Sequence, residues 1–117
     1  MSSPDIKSLV DAFAYHTAAA QDAPSADEGN RHAKLLNGAF YALVEHYHDK
    51  GRESLTALFD HEDPRVRCMA AVWLLRYKHD EAMSVLNELA KGTSCAAFPA
   101  RQSIKNWHSG DWELDLE

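Results

Sequence analysis

At 117 residues, with 45% hydrophobic and 26% charged side chains, the chain has the size and make-up of one soluble globular domain with a real core. Eighteen acidic against twelve basic residues leave a net charge of −6, and no run of Lys or Arg offsets it, which argues against a nucleic-acid partner. Four prolines and five glycines are too few for a turn-rich β sandwich, and no apolar run approaches the ~20 residues of a membrane span.

The opening Met1-Ser2-Ser3-Pro4-Asp5 lacks the basic and apolar regions of a signal peptide, and Cys68 and Cys95 are isolated. A cytoplasmic protein with reduced thiols is expected.

In chain order, Ser3-Pro4-Asp5 reads as a helix start: a capping hydroxyl, proline at the first helical position and an acid at the positive end of the dipole. Ile6, Leu9, Val10, Phe13 and Thr17 follow at helical spacing to about Gln21. Asp22-Ala23-Pro24-Ser25 interrupts, and Ser25 with Glu28 is placed as a capping box. The second helix carries Ala33, Leu36, Phe40, Leu43, Val44 and Tyr47 on one side and is expected to end before Gly51. Leu55, Leu58 and Phe59 predict a short apolar helix. Asp63 and Pro64 then cap and open another, whose core face is Val66, Met69, Ala70, Trp73, Leu74 and Tyr77. After His79-Asp80, Ala82, Val85, Leu86 and Leu89 mark the next helix. Gly92-Thr93-Ser94 is a turn, and Ala97, Ala100, Ile104 and Trp107 mark the last helix. Pro99 either opens that helix late or kinks it. The tail, Asp111 to Glu117, alternates polar and apolar residues and is expected to lie extended over the helices or to cap one end of them.

Two segments repeat at one offset: Leu55 matches Leu89, Arg67 matches Arg101 and Trp73 matches Trp107, each 34 residues apart in the sequence. Val66 with Ala100 and Ala70 with Ile104 keep the register. A period of this kind marks stacked helical hairpins, none of which can bury its apolar face alone. The run from Leu55 through Asp63-Pro64-Arg65-Val66-Arg67 to Ala70, Ala71 and Leu74 resembles a HEAT repeat. That resemblance implies that Asp63 and Pro64 make the turn, Val66 enters the core and Arg67 braces the repeat. The wider order is Thr17-Ala18-Ala19-Ala20-Gln21, then Gly29-Asn30-Arg31 opening a long helix, one good hairpin, and a degenerate one ending Trp107-His108-Ser109-Gly110. It is similar, over nearly the whole chain, to a small bacterial domain-of-unknown-function family with HEAT-like, armadillo-type repeats. The expected architecture is therefore an all-α, HEAT-like superhelix of five or six helices, one domain over 1–110 with a tail over 111–117. The resemblance rests on packing and turn residues and implies no catalytic residue.

Nothing in the sequence assembles a reactive set. Ser54, Ser84, Ser94 and Ser103 lack a glycine elbow, and the glycines form no phosphate-binding loop. Seven histidines raise a metal hypothesis, yet HExxH is absent, and His46 and His48 point ~200° apart on a helix. Glu45 and His48 form a single Glu-x-x-His pair, half of a di-iron set. His61 is expected to cover the turn beside Asp63, and His79 to sit at the end of the preceding helix. Asp63 and Arg67 read as cap and brace rather than an anion site, and Trp73 and Trp107 as core anchors. Neither catalytic residue, cofactor nor metal site is expected. The functional expectation is a non-enzymatic protein-interaction module, in one version an immunity or regulatory protein that sequesters a basic partner. Asn30, Arg31 and Trp112 are the candidate contact residues, and self-association is a further possibility. The alternative is a small-molecule or metal-binding sensor drawing on His16, His32, His46 and His48.

Overall fold

The computed structural model describes residues 5–110. Among them the chain is all-helical. Five α-helices run in the order α1 (Ile6–Asp22), α2 (Ala26–Ser54), α3 (Pro64–Leu74), α4 (His79–Lys91) and α5 (Ala97–Ser109), with a 3-10 helix, Leu55–Asp60, between α2 and α3. They form two compact units divided after Leu55.

The first unit is the hairpin of α1 and α2. Its helix start lies at Asp5, whose Oδ1 accepts the Ser8 N–H at 2.7 Å. This bond satisfies an otherwise orphaned donor and holds the carboxyl below its ordinary range. The cap is thus Asp5 rather than Ser3; Ser3 and Pro4 lie outside the described residues. Leu9, Phe13 and Thr17, four residues apart, give α1 one buried stripe. On α2 the matching stripe is Leu36, Ala39, Phe40 and Leu43. Thr17 is buried without an orphaned hydroxyl, because its Oγ1 donates to Phe13 O at 2.7 Å. Ser25 caps α2 by accepting the Glu28 N–H at 3.2 Å. Gly29 meets the end of α1 so closely that a Cβ there would lie 3.2 Å from Ala20 O.

The regular course of α2 breaks before Gly51, as expected, at His48, where φ is 52° and ψ −128°, and a second helical stretch continues to Ser54. Beyond the kink Gly51 is buried against the peptide of Leu43, and an added Cβ would stand 2.7 Å from Leu43 C. Gly51 therefore allows a close backbone approach just past that break.

The second unit contains α3, α4, α5 and most of the 3-10 turn. Asp63 caps α3, its Oδ1 accepting the Arg65 N–H at 2.9 Å, and Pro64 occupies the first turn, where its missing N–H costs nothing. α3 closes at Leu74, a turn earlier than the apolar pattern through Tyr77 suggests. Leu75 is nonetheless fully buried, so apolar periodicity outlasts the helix itself. Pro99 is the third residue of α5, within the turn whose N–H groups have no intrahelical partner, and so it opens the helix without kinking it. The core joins Cys68, Ala71 and Leu75 to Ala82, Leu86 and Leu89 and to Ala96 and Ala100, with Ile104 and Trp107 packed against it. The alanines keep the three helices close. Trp73 is buried as well.

The 34-residue offset has a physical counterpart. Arg67 donates from Nη1 to His61 O at 2.6 Å, and Arg101 donates from Nε to Ala90 O at 3.1 Å. Each guanidinium ties its own helix to backbone carbonyls left open where the preceding element ends.

Candidate functional site

The first unit brings together two groups that sequence spacing leaves sixteen residues apart. His16 on α1 and His32 on α2 face each other with their Nδ1 atoms 2.9 Å apart and ring centroids 5.2 Å apart. Both rings are half-buried. Two acceptor lone pairs would repel at that distance, so the nitrogens share a proton: one ring donates from Nδ1 and the other accepts. Burial, and then the neighbouring His32, lowers the His16 pKa, which leaves His16 neutral at pH 7. Tyr15 lies edge-on to both rings, at 5.0 Å from His16 and 6.2 Å from His32, while its own ring is 65% exposed. The Ala20 and Gly29 contact lies about one turn away on each helix and sets how near the two imidazoles come.

A hairpin explains the pairing. His16 stands eight residues before Pro24 and His32 eight after it, so a tight turn centred on Pro24 places them opposite each other. That symmetry was the available signal, and a search for local chelating spacings passes over it.

The remaining histidines go elsewhere. His46 and His48 are exposed, and the kink takes His48 out of helical phase with Glu45, so the Glu-x-x-His pair no longer shares a regular face. His61 Nδ1 accepts the Asp63 N–H at 3.0 Å, covering the turn. His79 is the first residue of α4, not the end of the preceding helix, and its ring packs on Trp107 at a centroid distance of 5.1 Å. Among the described residues no group of three or more His, Cys, Asp or Glu side chains converges. Asn30 and Arg31 are both exposed beside His32 in sequence, and Trp112 lies outside the described residues.

The second unit carries an open groove of about 510 Å³. Phe59, Val85 and Leu89 supply its apolar surface; Arg67, Ser84, Glu88 and the turn Gly92-Thr93-Ser94 supply its polar surface. Arg67 has its guanidinium committed to the carbonyls of His61 and Glu62. Asp63 is engaged by Arg65, not Arg67: Nη2 to Oδ2 is 2.8 Å and Nε to Oδ1 3.1 Å, a fork that holds the carboxyl below its ordinary range. Asp63 and Arg67 therefore do not converge on an anion. Cys68 is buried in the core, and desolvation pushes its thiol up to about 11, so it offers no thiolate at neutral pH. Cys95 is exposed. No helix among the described residues is long and apolar enough to cross a membrane.

No protein-family model matches the chain, and no curated protein or solved structure matches it either.

Proposed function

We propose that the protein is a non-enzymatic interaction module of HEAT-like helical hairpins, and that the groove beside α4 receives a basic segment of a partner protein. The observation that supports this reading most directly is the groove itself. It offers an apolar patch for one side chain among Phe59, Val85 and Leu89, with Glu88 at its edge, and it contains no nucleophile paired with a base. The exposed face of α4 continues the acidic character through Asp80 and Glu81, and the chain as a whole carries −6. A cationic partner would meet a complementary field, so association should be fast and should weaken with salt.

Affinity capture of the tagged protein from its native cells, at low and at high salt, tests this. The expected result is one stoichiometric basic protein, released by salt and lost from the Glu88→Lys and Val85→Asp variants. Capture of the same partner by both variants would move the interface away from α4. No partner recovered with well-folded protein would overturn the reading. A ligand-responsive domain is the second reading, and the apposed imidazoles of His16 and His32 are what favour it.

A further inference from the structure

We propose that His16 and His32 form a binding site for one divalent transition-metal ion of the copper, nickel and zinc group, bridging α1 and α2 through their two Nδ1 atoms. The centroids and the two nitrogens lie nearly in line, since a 5.2 Å centroid separation with nitrogens 2.9 Å apart leaves little room for any bend. This is the arrangement of a shared proton. An ion needs the two lone pairs to converge instead. A tetrahedral ion about 2.0–2.1 Å from each nitrogen holds them roughly 3.3 Å apart, with ring centres about 5.2 Å apart. The ring centres are already at that spacing. Each lone pair needs to turn by roughly 35° from the line joining the ring centres for the two to converge on one ion.

A metal ion takes the imidazole in its neutral form. In the metal-bound pair both rings would present a lone pair at Nδ1 and carry their N–H at Nε2. The site is also held for the purpose: the close approach of Gly29 to Ala20 fixes the helix separation nearby, and Tyr15 brackets both rings.

The donor set dictates what binds. Two imidazoles with no converging carboxylate select borderline ions over Mg²⁺ or Ca²⁺, with Cu²⁺ tighter than Ni²⁺ or Zn²⁺. The other coordination positions belong to water or to donors from outside the chain, which makes the ion exchangeable and open to a further ligand. This proposal stands apart from the groove beside α4, which lies in the other unit and shares no residue with it.

The test is titration of the full chain with Ni²⁺, Zn²⁺ or Cu²⁺, and with Mg²⁺ as control, followed by calorimetry and thermal unfolding at pH 7.5. One strong site per chain and a rise in melting temperature are expected for the three transition ions and not for Mg²⁺. His16→Ala or His32→Ala should each weaken binding at least tenfold and abolish most of the shift, while His46→Ala should leave both unchanged. Because an alanine variant can disturb the hairpin, the wild-type protein supplies a second readout. Substoichiometric Cu²⁺ should broaden the NMR signals of His16, His32 and Tyr15 before any others. Broadening centred on other histidines, equal affinity in the His16→Ala and His32→Ala variants, or no transition-ion shift in the wild type would each overturn the proposal.

Discussion

Replacing Asp63 separates two forces that meet at one carboxylate. Its Oδ1 caps α3 through the Arg65 N–H, and both oxygens accept from the Arg65 guanidinium. The Asp63→Ala variant loses both, whereas Asp63→Asn keeps a capping oxygen and loses the charge. A cap is worth about 1 kcal/mol. The side chains of the ion pair are 22% and 19% exposed, so solvent screening limits the pair to a few tenths up to about 1 kcal/mol. Asp63→Ala should therefore cost about 1.5–2 kcal/mol at pH 7 and Asp63→Asn no more than about 1 kcal/mol. The pH dependence has a definite sign. The folded carboxyl binds its proton more weakly than the unfolded one, chiefly because of the Arg65 hydrogen bond. The charge-dependent part of the stability is thus complete well above the ordinary aspartate value near 3.9 and is lost as pH falls through the lowered folded value. Urea unfolding read by tryptophan fluorescence is a suitable assay, because Trp73 and Trp107 both lie in the second unit. Wild type and Asp63→Asn should converge in acid, and Asp63→Ala should stay below both. If Asp63→Asn proved as damaging as Asp63→Ala at every pH, the cap would contribute nothing and the reasoning would fail.

Other perturbations test the remaining load-carrying contacts. Gly51→Ala drives a methyl into the Leu43 peptide and should cost more than about 2 kcal/mol in far-ultraviolet circular dichroism melts; an unchanged midpoint would place Gly51 elsewhere. His48 occupies a positive-φ conformation that glycine tolerates, so His48→Gly should raise stability by about 1 kcal/mol and His48→Val should lower it. If both variants melted alike, the kink would not be at that residue. At pH 8 a thiol reagent should label one cysteine of the native chain, Cys95, and two after denaturation, because the Cys68 thiol is buried and pushed up to about 11. Labelling of two thiols in the native protein would contradict the packing of the core in the second unit.

What the sequence made legible was what local rules and periodicity govern. Ser25 with Glu28 and Asp63 with Pro64 announce helix starts because the capping partners are two or three residues away. The 34-residue offset announced Arg67 and Arg101, whose hydrogen bonds to His61 and Ala90 carbonyls serve the same end in both places. Legibility fails where the deciding partner is distant or where one signal has two meanings. Gly51 rightly marks the end of a regular helix, yet the break itself falls at His48, and the missing side chain answers to Leu43, eight residues earlier. Tyr77 extends an apolar period that the backbone abandons at Leu74, since a turn can bury Leu75 as well as a helix can. His79 lies between two apolar runs and could have ended one or begun the other; its contact with Trp107 reflects the packing of α4 against α5. The candidate site follows the same logic. His16 and His32 belong to no short motif, and each alone is one more histidine on a half-buried helix flank. Only the hairpin turn at Pro24, which makes residues at equal distance on either side into neighbours, turns two unremarkable positions into a pair of facing nitrogen donors.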